Sequence, residues 1–416
     1  MLKNYLKIAF KVFLRRKFFT FISLFAISFT LIILMVATAL FDNVFAPQPP
    51  EDKADRSLYV MGLRLQGPDN QSTGPAGYVF LERYVRTLPN VEKVSIYTTP
   101  NTVYSFWRGG KIKSFLKRTD GEFWQIMGFR FLEGGPFTAE DEKSANFVAV
   151  INEATRRKFF GDDTAVGKMI EADGQQFRVV GVVANVPIFR MNPFSDIWVP
   201  ISTSKTNAYK SQLLRGEFQA AILAKSSADL PAIKSEFESR LPGVEFPDKR
   251  EFNTAIGGAD TIFEFASRML IPSQQMESQP RKLLIIIISL MVLFMILPTV
   301  NLINLNVSRI LERASEIGVR KAFGASSWTL IGQFVTENVL LTLIGGVLGF
   351  FGSQLVLKLI ADSGLIPYAE FHLNYRFFVY GLLTALFFGL FSGVYPAWKM
   401  SRLHPVQALK GAGGSR

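Results

Sequence analysis

Two histidines, no cysteine and a few clustered carboxylates are all that this 416-residue chain offers for catalytic or metal chemistry. A zinc site draws its ligands from thiolates, imidazoles and carboxylates, and a Ser-His-Asp triad needs an imidazole beside its nucleophile. His372 and His404 lie far apart and no thiolate exists, so neither site is expected. Without cysteine there is also no disulfide framework from which to read a redox compartment. An ATP-binding loop needs glycines that let backbone N–H groups cradle phosphate, followed by Lys and then Ser or Thr. Gly110-Lys111 and Gly167-Lys168 are followed by Ile112 and Met169 instead, so any ATPase that drives this protein is expected on another chain. Glu140-Asp141-Glu142 and Asp162-Asp163 could serve acid/base work or hold a cation, but in their turn-like surroundings they read as solvated loop charges. The expectation is a chain with no catalytic residue, no metal and no cofactor of its own.

The elements around these residues are set by where charge and oil alternate. The formal net charge is +12, with 49% apolar and 19% charged residues, too oily for a purely soluble protein and too polar for one wholly in lipid. Basic chains can bind nucleic acid through its phosphates. Here, however, Lys3, Lys7, Lys11, Arg15, Arg16 and Lys17, then Arg309, Arg313, Arg320 and Lys321, sit beside apolar runs, a pattern that orients membrane helices. No nucleic acid is expected as a partner. Phe18–Phe41, Leu283–Ser308, Asn338–Leu357 and Phe377–Trp398 carry no charge, and each reaches the roughly 20 residues that cross hydrocarbon. Ala37-Thr38-Ala39 resembles a signal-peptide cleavage site, but the preceding run exceeds the roughly 7–15 residues of a signal core, so the first span is expected to be kept.

The fold class predicted is therefore a membrane protein with four transmembrane α-helices and a large α+β domain between the first and second. The segments are 1–17, a cytoplasmic amphipathic helix; 18–41, the first span; 42–282, an external domain with its stalk; and 283–308, the second span. They continue as 309–327, a short cytoplasmic helix; 328–357, the third span; 358–376, an external loop; 377–398, the fourth span; and 399–416, a cytoplasmic tail. Basic residues at 3, 7, 11 and 15 share one stripe of the first helix while Leu2, Leu6, Ala9, Phe10 and Phe13 share another, as an interfacial helix requires. In the external domain, strands are predicted at Ser57–Met61, Val91–Tyr97, Lys111–Lys117, Phe147–Asn152, Gln176–Ala184, Ile197–Ile201 and Phe218–Ala224. Helices are predicted at Gly77–Leu88, Glu122–Met127, Glu153–Phe160, Leu230–Arg240 and, entering the second span, Asp260–Leu270. Pro47, Pro49 and Pro50 must bend the chain as it leaves the first span.

Three features of the helical part invite a mechanical reading. In the charged segment Ser308–Ser326, Glu316 precedes Arg320 by one turn and Gly324 is placed to cap the helix end. Such a helix is either a plain connection or a lever docked on a partner, and its chemistry alone leaves both open. Gly345, Gly349 and Ser353 form a small-residue stripe that admits a close neighbouring helix, from this chain or a second copy. Pro298, deep in the second span, removes a backbone hydrogen bond and predicts a kink, and Asn301, Asn304 and Asn306 should seek partners inside the protein.

Glu316-Ile-Gly-Val-Arg-Lys-Ala-Phe-Gly-Ala325, followed by Gln333-Phe and Glu337, resembles the "REIGIRKALGA…QF..E" signature of MacB/FtsX-type ABC transporter permeases. Tyr395-Pro-Ala-Trp-Lys-Met-Ser-Arg-Leu-His-Pro-Val-Gln-Ala-Leu409 is similar to that family's "YPAWRAARLDPVEAL" ending. Asn4–Ala9 resembles its opening, and Val148–Glu153, Gly161-Asp, Val166-Gly-Lys168 and Val179–Val183 resemble its periplasmic core domain. The resemblance implies a permease of the bacterial inner membrane, both termini cytoplasmic, paired with a second permease copy and served by a separate ATPase dimer holding ATP and Mg. It implies a coupling helix formed by Glu316, Ile317, Gly318, Arg320, Lys321, Gly324 and Ala325. A periplasmic adaptor and outer-membrane channel are further partners it implies, with a hydrophobic or peptide-like substrate extruded or relocated by mechanotransmission. Signalling to a cell-wall hydrolase, as in FtsX-like proteins, and lipoprotein release are alternatives within the same resemblance.

Overall fold

The computed structural model describes residues 2–107, 109–273, 277–312, 319, 323, 326–371, 375–376, 378–387 and 390. In chain order its helices are α1 (Leu2–Arg15), α2 (Lys17–Phe45), α3 (Tyr78–Tyr84), α4 (Phe123–Ile126), α5 (Ala139–Lys143), α6 (Glu153–Phe160), α7 (Leu230–Arg240), α8 (Ile262–Leu270), α9 (Pro280–Glu312), α10 (Ser327–Asp362) and α11 (Phe378–Phe387). The first strands are β1 (Ser57–Val60), β2 (Leu63–Gln66), β3 (Gln71–Gly74), β4 (Val91–Thr98), β5 (Asn101–Trp107), β6 (Gly110–Thr119) and β7 (Phe131–Gly134). They are followed by β8 (Val148–Asn152), β9 (Met169–Ala172), β10 (Gln175–Val183), β11 (Ile197–Pro200), β12 (Phe218–Ala224) and β13 (Thr254–Gly257). The chain divides into two compact units, a helical one (Met1–Asp42, Ile285–Leu365, Phe371–Arg416) and an α+β one (Asn43–Leu284 with Ile366–Glu370).

In the helical unit, α2 and the Ile331–Asp362 part of α10 are each long and apolar enough to cross a membrane. α9 runs for 33 residues and includes Pro298. The basic N-terminal segment is helical as its spacing predicts, and Ala9 and Phe13 on its apolar face are buried with Ile27, Leu31 and Leu341. On α2, Phe21, Phe25 and Phe29 follow at one-turn intervals, stack on one another and stay exposed. Such an oily stripe suits lipid rather than water. Helix α2 ends at Phe45, just ahead of the prolines that cannot continue it.

The α+β unit is organised by a ten-stranded mixed sheet, ordered β1-β12-β4-β6-β11-β8-β10-β7, with β5 on β6 and β9 on β10; β13, β2 and β3 form a second, three-stranded sheet. Two neighbours, β10 with β8 and β11 with β6, are parallel. Central strands are buried on both faces and so read as nearly continuous apolar runs. Along β12, Phe218, Ala220, Ile222 and Ala224 enter one core while Ala221 and Leu223 enter another, the two-residue alternation of a pleated strand. Helix α6 starts where Asn152 Oδ1 accepts from Thr155 N (2.8 Å), and α8 starts in a Thr261/Glu264 capping box.

The acidic triplet departs from the sequence reading. Glu140, Asp141 and Glu142 form the first turn of α5, and Asp141 closes a capping box with Thr138. The Thr138 backbone N–H and the Asn146 amide hold the Asp141 carboxyl below its usual range. Glu142 is not a solvated loop charge: burial, reinforced by the charge of Asp120, pushes its pKa up to about 7. Asp162 and Asp163 are exposed, as expected, with Asp163 reaching Lys168 at 3.1 Å.

Candidate functional site

The segments that join the long helices to the α+β unit are each fastened to its sheet by buried polar links. The first follows α2. Arg190 sends Nη2 to the Ala46 carbonyl (2.9 Å) and Nη1 to Glu51 Oε2 (3.3 Å), with Glu51 and Arg190 side chains only 0% and 2% exposed. Asn192 donates Nδ2 to Glu51 Oε1 (3.0 Å) and accepts from the Tyr97 hydroxyl (3.0 Å). Lys117 is fully buried beneath this group and donates to the Met191 and Asn192 carbonyls. Burial pulls its pKa down to about 7 against the attraction of Glu51. The same burial, aided by the Glu51 charge, drives the Tyr59 and Tyr97 phenols upward.

The second link precedes α9. Arg268 of α8 makes a bidentate pair with Asp260 (2.7 and 2.9 Å), both side chains under 10% exposed. Asp260 is itself locked to β1, exchanging backbone hydrogen bonds with Tyr59 at 2.8 and 2.9 Å. Ser267 Oγ then accepts from Gln279 N (2.9 Å), one residue before α9 begins.

The third link lies in the loop after α10. Asp196, buried just before β11, accepts from the Tyr368 hydroxyl (2.6 Å) and Asn152 Nδ2 (2.9 Å) on Oδ1 and from Phe115 N (2.8 Å) on Oδ2. Ile188 N donates to the Pro367 carbonyl (3.3 Å), and Asn43 Nδ2 to the Glu370 carbonyl (2.8 Å). The short stretch Ile366–Glu370 thus packs as part of the α+β unit although it is distant in sequence.

The glycine stripe on α10 faces α2. A Cβ placed on Gly345 would stand 2.7 Å from Ile27 Cγ2, and one on Gly349 would stand 2.9 Å from Leu31 Cβ and 3.3 Å from the Ser28 carbonyl oxygen. Gly352 continues the close approach against Ile32, while Ser353 is fully buried and donates to the Phe350 carbonyl (2.8 Å). Six residues into α10, Gln333 donates to Glu337 at 3.0 Å, both side chains buried. The seven coupling-helix positions Glu316, Ile317, Gly318, Arg320, Lys321, Gly324 and Ala325 lie outside the described residues, as do His372, His404 and the chain from 391 onward. Among the described residues no cluster of three or more His, Cys, Asp or Glu is arranged to hold a metal ion. The first and third links were absent from the sequence reading because their partners are separated by 139 residues for Arg190 and Glu51 and by 172 for Tyr368 and Asp196; Arg268 and Asp260 are only 8 apart, but Asp260 meets Tyr59 of β1 only in the folded sheet.

The family described as MacB-like periplasmic core domain matches residues 20–240, over half of the chain, and the FtsX-like permease C-terminal family matches residues 288–405. The chain belongs to the MacB/FtsX family of ABC transporter permeases. Two curated relatives show the span of this permease family. The macrolide export ATP-binding/permease protein MacB of Bdellovibrio bacteriovorus is 27% identical over 281 residues, 66% of this chain and 40% of its own. The uncharacterised ABC transporter permease YvrN of Bacillus subtilis is 24% identical over 339 residues, 78% of this chain and 77% of its own. This permease spans about two-fifths of the length of the MacB relatives it matches. Among solved structures, the periplasmic region of MacB from Actinobacillus actinomycetemcomitans aligns with 52% of this chain and 94% of that one, at 13% identity and a TM-score of 0.37. By the family match over residues 20–240 the α+β unit is the periplasmic domain of this MacB/FtsX permease, and family members work with ATPase partners.

Proposed function

We propose that this permease carries motion between an ATPase on a separate chain and its own periplasmic domain, through four spans with both termini in the cytoplasm. The observation that carries this reading is that the periplasmic domain binds, through buried charged groups, each segment that connects it to a long helix: Glu51 after α2, Asp260 and Arg268 before α9, and Tyr368 after α10. Ion pairs and charge-assisted bonds shielded from water resist slippage more than exposed ones, so a helix displacement is passed on rather than absorbed. The close α2–α10 contact at Gly345 and Gly349 supports the same reading, since two helices in backbone contact move together. On the cytoplasmic side the lever is assigned to Glu316, Ile317, Gly318, Arg320, Lys321, Gly324 and Ala325, and ATP and Mg to the partner ATPase. Pro298 is assigned a kink that relays this motion within the second span. A second permease copy, in the inner membrane, completes the transporter. Its work is extrusion or relocation of a hydrophobic or peptide-like substrate, with a periplasmic adaptor and outer-membrane channel as further partners.

The test is co-purification from native membranes with a tagged permease. Wild type should retain an ABC ATPase, and a Glu316→Lys, Arg320→Glu double variant of equal abundance should lose it. Equal recovery by both would remove the lever assignment.

A further inference from the structure

A cavity of about 550 Å³ opens in the periplasmic domain where β4, β5, β6 and β12 meet the segment joining β11 to β12. It lies between two hydrophobic cores, touching Phe218 of one and Val103 and Leu116 of the other. Ligand sites favour such seams, and their volumes are commonly about 300–1,000 Å³. One wall is aromatic: Tyr78, Tyr209 and Phe218 form a cluster with ring centroids 5.2, 5.4 and 6.1 Å apart.

The remaining charge is unbalanced. Three cations, Arg118, Lys205 and Arg215, face two carboxylates, Asp173 and Glu217. Asp173 is shared by Arg118 (3.1 Å) and Lys205 (2.7 Å), and Glu217 accepts from the Asn101 amide (3.3 Å). Arg215 gives one Nη to the neutral hydroxyl of Ser72, and its Nε is buried with no acceptor among the described residues. Burial also lowers the Arg118 pKa, against the pull of Asp173 and Glu217.

We propose that this cavity binds an amphipathic organic carboxylate, its flat apolar body against Tyr78, Tyr209 and Phe218 and its carboxylate at Arg215 and Lys205. An uncharged molecule of the same shape would gain the aromatic wall but bring no counter-charge to the three cations. A hydrophilic anion would gain the cations but not the wall. The site shares no residue with the Glu51, Asp260 and Asp196 links, so its occupancy is separable from the coupling reading.

The full-length protein in nanodiscs, titrated with 2-naphthoate and with its uncharged analogue 2-naphthamide against protein-free nanodiscs, tests this. Wild type should bind the acid saturably and at least tenfold more tightly than the amide. Arg215→Gln and the solvent-exposed Lys205→Gln should each shrink that preference severalfold, and Tyr209→Ala should weaken acid and amide together. Thermal melts of each variant check that the fold is kept. Equal affinity for acid and amide, no saturable binding to wild type, or an unchanged preference in both folded charge variants overturns the proposal.

Discussion

Replacing Glu51 with Ala examines the first link where its chemistry is most demanding. The Glu51 and Arg190 side chains are 0% and 2% exposed, so neither charge can be rescued by water. Without the carboxylate, Arg190 keeps only the Ala46 carbonyl at 2.9 Å and Asn192 Nδ2 loses its acceptor. Breaking a buried pair from one side costs about 3–5 kcal/mol, mainly because the surviving charge is stranded. For a unit the size of the periplasmic domain, each kcal/mol moves Tm by about 2–4 °C, giving an expected fall of roughly 6–20 °C. Detergent-solubilised protein can be followed by tryptophan fluorescence, since Trp198 is fully buried in the same unit. The double variant Glu51→Met, Arg190→Met separates causes: with both charges gone it should recover most of the lost stability. If Glu51→Ala melts within about 2 °C of wild type, or the double variant is no better than the single one, the stranded-charge argument is wrong.

Tyr368→Phe removes only the hydroxyl that reaches Asp196, a bond to a charged group worth about 1.5–3 kcal/mol; amide hydrogen exchange should rise at residues 366–370, and unchanged protection would show that the loop is held by packing alone. Gly349→Val forces a branched side chain toward Leu31 and the Ser28 carbonyl, so it should cost about 1–3 kcal/mol by thermal melt, whereas Gly135→Ala, where a Cβ meets nothing within 4 Å, should be near neutral. Lys117 has a folded pKa of about 7 against 10.5 when exposed, so the unfolded chain binds more protons between those values and stability should rise as pH climbs from 7 toward 10.5. Lys117→Met should flatten that rise, and a slope shared by both proteins would exclude Lys117 as its source. For Glu142 the sign is opposite: its carboxyl is raised from 4.5 to about 7, so its contribution is full below 4.5 and fades as pH passes 7. Glu142→Gln should remove that decline from the pH dependence of urea midpoints.

Local pattern carried the reading far. The predicted strands Ile197–Ile201 and Phe218–Ala224 lie on β11 and β12, because strands buried on both faces advertise themselves as apolar runs; Val91–Tyr97 lies on β4, whose first three residues are not buried. α6 and α7 have the predicted bounds, each with turn or capping residues beside its apolar spacing. β2 and β3 went unseen because Leu63–Gln66 and Gln71–Gly74 carry few apolar residues and belong to the small separate sheet. β5 went unseen as well: its side chains alternate in burial, but Tyr104 and Phe106 are exposed, so residue type did not track the pleat.

The amino-acid sequence by itself determined the apolar stretches, the basic flanks, the glycine stripe and the lack of a phosphate loop within this chain, since each is a matter of composition and spacing along a few turns. The tertiary structure decided which helix the stripe receives, that Lys117 is buried rather than solvated, that Arg190 finds Glu51, and that a five-residue loop joins the periplasmic domain through Tyr368. A charge in a strand looks the same in sequence whether it meets water or a carboxylate more than a hundred residues away. Only the folded sheet, by excluding water from one of those ends, chooses between them.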